Sequence, residues 1–198
     1  VTRPYLIGLS GPPRSGKDTL ATAIQLELTN RFEIGSQIIA LSMPMRHTVY
    51  AMLGRVYEQT HYEENKDVPN DALGGKTIRQ AMIALSEQHV KPVYGDGFWG
   101  RALIGHIRSP YPWVVIVSDM GFQAEVDVFV EEFGSDNCLW PWLRRPGHSF
   151  AHDSRRYVGE SDRVVRLDNP GIDGDLFFRA AAERVVDAAV EMCHWNFS

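Results

Sequence analysis

The sequence predicts an α/β fold in which a central five-stranded parallel sheet is flanked by helices. Three observations on the 198 residues predict it. Short apolar runs alternate with stretches whose apolar residues recur at helical spacing. A glycine-rich loop joins the first run to the first helical stretch. The strongest run consists of five consecutive strand-favouring residues and is again followed by helical spacing.

Taken in order, residues 5–10 are apolar and stop at Gly11, and from 17 to 30 Leu20, Ala21, Ile24 and Leu28 fall on one helical face, so the chain opens as strand, glycine loop, helix. Residues 37–41 read as the second strand and 43–53 as a helix carrying Met45, Val49, Met52 and Leu53 on one side. From 54 to 76 the chain is polar and charged, broken by Pro69, Gly74 and Gly75, and reads as irregular. Helices are expected over 78–90 and 98–107, separated by a turn-rich segment with Pro92, Gly95 and Gly97. The third strand is 113–117, ending at Ser118 and Asp119, with a helix over 125–133. Pro141 interrupts the fourth strand, 138–143, and places it at an edge or a bend. The fifth strand is 163–167. A long amphipathic helix over 176–192 closes the chain with Leu176, Phe177, Ala180, Val185, Ala188 and Ala189. In such sheets ligands gather at the carboxyl ends of the strands.

At 198 residues and 44% hydrophobic content, one domain over 1–198 can bury a sizeable core without metals or disulfides. Twenty basic against 25 acidic side chains give a net charge of −5, which disfavours a polynucleotide partner. Cys138 and Cys193 have no CxxC spacing and read as reduced, structural thiols. The apolar runs are too short for a membrane span and the first residues lack a leader's order, so a cytoplasmic location and no membrane partner are expected.

The loop Gly11, Pro12, Pro13, Arg14, Ser15, Gly16, Lys17, Asp18, Thr19 carries the Gly-x4-Gly-Lys core of a P-loop. Glycines there let backbone N–H groups turn inward, the helix start adds partial positive charge, and the lysine ammonium reaches terminal phosphates. Strand before and helix after meet the motif's structural requirements, so ATP is the expected cofactor. Asp18 stands where a hydroxyl is usual and is a hard oxygen donor, hence a candidate Mg²⁺ ligand; the plainer role is to favour the helix start electrostatically.

Other charged residues extend the site. Asp119 ends the third strand as a candidate metal-organising or base-like carboxylate, whereas Glu125 reads from the residues alone as a charge on a helix face. Arg144 and Arg145 follow the fourth strand, with His148, His152, Arg155 and Arg156 beyond them, forming the densest positive cluster of an acidic chain. A lid over about 144–160 that closes on phosphates would use it. No glutamate or cysteine completes a zinc pattern around His148 and His152. Arg46 and Arg79 near two helix starts could grip an acceptor phosphate, and Phe98 and Trp99 could stack on a base or fill a core.

With those residues in view, the chain resembles the phage-type deoxynucleoside monophosphate kinases over nearly its full length. LSGPPRSGKDTLA resembles their Gly-Lys-Asp-Thr variant of the P-loop, and MPMRHTVYAMLG their helix after the second strand. TIRQAMIALSEQ with FWGRAL resembles an arginine-bearing helix and following tryptophan, SDMGFQAEVD a Ser-Asp-x-Arg-Phe-x-x-Glu segment, LRRPGHSFAHDS an Arg-Pro-Gly lid, and RLDNPG the final strand ending in asparagine. The resemblance implies a P-loop kinase fold, with Gly11, Arg14, Ser15, Gly16, Lys17, Asp18 and Thr19 serving ATP and Mg²⁺ and Asn169 in the adenine loop. It implies Arg46, Arg79, Trp99, Asp119, Glu125 and His152 on the acceptor nucleotide, with a helical acceptor region over about 44–108, and Arg144 and Arg145 in the lid. Gly121 stands in place of the family's arginine and Arg155 in place of an acid, departures that imply one charge pair lost together and put the family's base specificity in doubt for this chain.

The expected reaction is transfer of the ATP γ-phosphoryl group to a deoxynucleoside 5′-monophosphate by positioning and charge neutralisation, with Lys17, Asp18, Asp119, Arg144 and Arg145 as the catalytic set. A kinase acting on a hydroxyl, of a modified base in DNA or a coenzyme precursor, is the alternative reaction, and a noncatalytic ATP-binding protein the alternative class. A homodimer is compatible with the sequence, and a phage-encoded chain would work in the host cytoplasm.

Overall fold

The computed structural model describes residues 4–107, 113–151, 153–172 and 174–195. Contacts gather the chain into two compact units, Val1–Leu41 with His106–Ser198, and Ser42–Gly105.

The first unit is built on β1 (Tyr5–Ser10), β2 (Ser36–Ile39), β5 (Val114–Met120), β6 (Cys138–Arg144) and β7 (Val164–Asp168). Here β3 and β4 are the two short strands of the second unit, Pro69–Asn70 and Lys76–Thr77. The five strands pair in parallel in the order β2-β5-β1-β6-β7. Helices α1 (Lys17–Phe32) and α8 (Gly174–Cys193) share a core with Ile7, Leu9, Val114, Ile116, Leu139, Leu143, Val165 and Leu167. Strand residues alternate between faces, so Leu6, Val115, Val117 and Trp140 turn to the opposite face. There α7 (Gln123–Phe133) contributes the buried Val126, Phe129 and Phe133. Burial on both faces is why these strands read as continuous apolar runs.

Two strands depart from expectation. β6 lies between β1 and β7 rather than at an edge. Pro141 stands opposite Val165 of β7, and paired residues on the β1 side pass from Leu139 to Trp142 in unchanged register, so both ladders continue past the proline. A missing N–H therefore costs the ladder only locally. β5 begins one residue late, at Val114, and runs on to Met120, so Asp119 lies within the strand. The register between β1 and β5 shifts between Gly8 and Ser10, a bulge that bends the strand end where Asp119 sits.

The second unit holds α2 (Met43–Met52), α3 (Gln59–Asn65), the β3–β4 hairpin, α4 (Ile78–Ala84), α5 (Lys91–Tyr94) and α6 (Phe98–Ile104) around Val49, Tyr50, Tyr62, Ile78 and Met82. Residues 54–76 are thus structured, against expectation. In α3 only Tyr62 is buried, which leaves no periodicity to read, and Gly74 and Gly75 take φ of 63° and 78° to turn the hairpin. Nor does the helix after Thr77 stop before Pro92. A π-helical stretch, Leu85–Val90, joins α4 to α5, with Pro92 in the first turn of α5. The widened turn is where a proline ring can follow a helix without meeting the carbonyl four residues back. No helix among the described residues is long and apolar enough to cross a membrane.

Candidate phosphate-binding site

Because the sheet is parallel, β1, β2, β5, β6 and β7 all end on one edge, and β1 delivers the chain there at Gly11. Gly16 immediately precedes α1 with φ of 102° and no side-chain cap. The first intrahelical bond runs from Leu20 N to Gly16 O at 2.9 Å, so the amides of the first turn have no acceptor inside the helix. An ideal Cβ on Gly16 would stand 2.6 Å from Cζ of Phe178 and 3.2 Å from Nδ2 of Asn169. Backbone angle and packing both demand glycine at this point. Ser15 is fully buried and its hydroxyl has no hydrogen-bond partner. An orphaned hydroxyl beside open helix amides fits an anion with several acceptor oxygens, which is what a polyphosphate presents.

Lys17 is buried, and its ammonium donates to the carbonyls of Gly11 at 2.7 Å and Pro12 at 2.8 Å. Burial depresses its pKa to about 8, helped by the charge of Arg155 and opposed by Asp119, Asp18 and Asp153. These five side chains therefore form one electrostatic group. Asp18 and Thr19 are exposed on the first turn of α1. Among the described residues no three His, Cys, Asp or Glu side chains converge as a metal cage. A Mg²⁺ ion held by Asp18 would take its other ligands from water and phosphate oxygens, the usual economy of this ion, and one exposed carboxylate beside the loop fits that donor set. Asp119 Oδ1 accepts the backbone N–H of Leu41 at 2.5 Å, tying the end of β5 to the residue that leaves β2.

The segment after β6 lies against the loop. Arg145 Nη1 donates to the carbonyl of Arg14 at 2.9 Å, and Arg14 itself has a φ of 61°. His148 Nδ1 lies 3.2 Å from the Pro13 carbonyl, an acceptor, so that ring nitrogen carries the proton. Arg144 is exposed at the same edge, and its carbonyl accepts from Asn169 N at 2.8 Å. Asn169 is 3% exposed and donates from Nδ2 to the Ser15 carbonyl at 2.9 Å, while its Oδ1 accepts from Gly171 N. It braces the loop from beneath.

The remaining expected residues belong to other elements. Glu125 is buried at the start of α7, where its carboxylate accepts the N–H of Phe122 at 3.2 Å. Arg46, Arg79 and Trp99 belong to the second unit. The Arg46 guanidinium lies 4.4 Å over the Tyr62 ring and donates to Tyr57 Oη and Gln59 Oε1. Arg79 is paired with Asp67 through Nε at 2.7 Å and Nη2 at 3.2 Å. Trp99 is 3% exposed, and its Nε1 donates to Ser86 in that unit's interior. His152 lies outside the described residues. Two partners escape sequence reasoning. Asp153 binds Arg155, two residues on, and Phe178 seals Gly16 from 162 residues away along the chain; neither spacing carries a signal.

No protein-family model matches the sequence, and no curated protein matches it either. Solved structures do. A Mycobacterium tuberculosis APS kinase variant is similar with TM-score 0.50 at 11% identity, over 95% of this chain and 98% of that one. A gluconokinase from Sinorhizobium meliloti has TM-score 0.47 at 14% identity, over 94% and 96%. Chaetomium thermophilum Kti12, in complex with ADP-AlF3, has TM-score 0.46 at 13% identity, over 93% and 98%. At such identities the likeness concerns the fold, an α/β sheet of five parallel strands flanked by helices.

Proposed function

We propose that this chain is an ATP-dependent kinase whose acceptor is a deoxynucleoside 5′-monophosphate. One observation carries the phosphoryl-transfer reading: a buried lysine, an unpartnered buried serine hydroxyl and uncapped helix amides converge at the end of the central strand. ATP would lay its phosphates along Gly11 to Thr19, with Lys17 exchanging two loop carbonyls for phosphate oxygens and Asp18 holding Mg²⁺. Mg²⁺ held there would supply charge neutralisation to the phosphates. Asn169 would keep Ser15 and Gly16 in place, and Arg144 and Arg145 would close over the donor from the segment after β6. Such a site works by positioning and charge, so an acceptor that is already ionised requires no strong base. The acceptor class rests on the sequence resemblance and on Arg46 and Arg79 in the second unit.

ADP release should be measured with each common deoxynucleoside monophosphate, with hydroxyl-bearing acceptors, and with none. ADP formed with at least one monophosphate is expected, and Lys17→Ala should lower kcat by roughly 10²–10³-fold with the fold intact. Turnover on hydroxyl acceptors alone would reassign the substrate. Binding of ATP without turnover on any acceptor would leave a noncatalytic nucleotide-binding protein.

A further inference from the structure

The backbone of residue 156 is fastened to the carboxyl edge of the sheet at two points. Its N–H donates to the carbonyl of Gly121, just past β5, at 3.0 Å. Its carbonyl accepts from the hydroxyl of Ser10, the last residue of β1, at 3.2 Å. Arg155 is thereby held against the strand ends from which the P-loop departs. Its side chain lies across Gly121: an ideal Cβ there would stand 2.4 Å from Cγ, 2.6 Å from Cδ and 2.7 Å from Cβ of Arg155. Any side chain at 121 would evict this stem. Beyond it, Asp153 grips one edge of the guanidinium, accepting from Nε at 2.9 and 3.1 Å and from Nη2 at 2.5 Å, and takes the Arg155 N–H at 2.9 Å as well. Both partners are largely buried, with 29% and 18% of their side chains exposed. After burial, Arg155 is the strongest influence against the positive charge of Lys17.

A protein that sets two cations side by side in partial burial must answer their repulsion with anions. Asp119, Asp18 and Asp153 answer it in the resting protein, and a phosphate bound at the loop would join them. We propose that Arg155 is a second phosphate-binding residue of this site, seated in a notch that only glycine at 121 leaves open and oriented by Asp153. The planar fork of a guanidinium matches two phosphate oxygens, as the lysine's point charge does not. The phosphate belongs either to the triphosphate donor or to the monophosphate acceptor, so this inference rests on the kinase reading for the identity of its ligand.

The test uses the full chain and titration calorimetry with two probes, inorganic tripolyphosphate and a deoxynucleoside monophosphate. Arg155→Ala should weaken at least one of them about tenfold or more, with Arg155→Lys recovering part of the loss. Loss on tripolyphosphate assigns the donor phosphates; loss on the monophosphate assigns the acceptor. Gly121→Ala should reproduce the defect, and Gly121→Ala combined with Arg155→Ala should bind no worse than Arg155→Ala alone, because the glycine serves only to seat the arginine. Should Gly121→Ala fail to fold, Arg155→Ala and Arg155→Lys decide. A double variant with Asp153→Asn should remain weak, showing that the loss is not repulsion by a stranded carboxylate. Wild-type binding of both probes by Arg155→Ala, multiplying losses at 121 and 155, or a loss that lysine does not relieve, would overturn the proposal. Equal binding of tripolyphosphate by wild type and Lys17→Ala would instead sink the P-loop reading, whatever Arg155 does.

Discussion

At Lys17 the proposed role in phosphate binding would couple ligand binding to pH through a single side chain. Its pKa of about 8 in the resting loop lies below the ordinary 10.5 because the ammonium is buried and faces Arg155. Anionic phosphates beside it favour the charged form and raise that value. Below about pH 8 the ammonium is present before and after binding, and this group adds no pH dependence. Above it, binding must take up a proton, and affinity for tripolyphosphate should fall about tenfold per pH unit. In the folded protein the lysine loses its proton before the unfolded chain does, so between about 8 and 10.5 the unfolded state holds more protons and the burial penalty eases as pH rises. Calorimetry at pH 7 to 10 in two buffers of different ionisation enthalpy reads the proton directly; affinity flat across that range would contradict the assignment. Lys17 and its loop are legible in sequence because the motif is local. The resemblance pairs Arg155 with Gly121 as two departures, but not the seat between them, since the empty volume over Gly121 and the carbonyl of that residue come from a segment more than thirty positions earlier.

Among the elements, those with one dry face were readable and those without were not. Helix α1 buries Leu20, Ala21, Ile24 and Leu28, the residues whose spacing predicts it. β6 reads as a strand, but its place between β1 and β7 does not, because strand order is set by pairing between segments far apart in the chain. Helix α4 owes its start to Thr77, whose hydroxyl accepts from Gln80 N at 3.1 Å while Gln80 Oε1 accepts from Thr77 N at 2.9 Å. The two arms satisfy two amides that the first turn cannot. Thr77→Ala should therefore cost about 1 kcal/mol, with Thr77→Ser nearly neutral. Urea unfolding monitored by Trp99, buried in the same unit, would show it as a lower midpoint; an unchanged midpoint would mean that β4, not the cap, sets the helix start.

On the scale of the whole chain, the two cysteines report how the first unit opens. Cys138 lies at the start of β6 and is fully buried, and Cys193 at the end of α8 is 5% exposed, its thiol 3.4 Å from the Cys138 carbonyl. Burial pushes both thiols above their ordinary range, so neither supplies thiolate while native. Their routes to solvent differ. Cys193 needs only the last turn of α8 to fray, which Trp195 resists by stacking on Tyr5 at 4.3 Å and donating its backbone N–H to Ala189 O. Cys138 pairs with Leu6 of the central strand, so exposing it requires the sheet itself to come apart. Labelling by a small thiol reagent should accordingly be biphasic, Cys193 first. Tripolyphosphate bound at the proposed site, where β1 ends, would stabilise the intact sheet but not a frayed helix end, so it should slow Cys138 by the factor 1 + [L]/Kd and leave Cys193 nearly unchanged. Mass spectrometry of the labelled peptides resolves the two. If ligand slowed both thiols alike, the end of α8 and the central sheet would open as one unit, and α8 would have to be counted with β1 among the elements that hold the proposed phosphate site together.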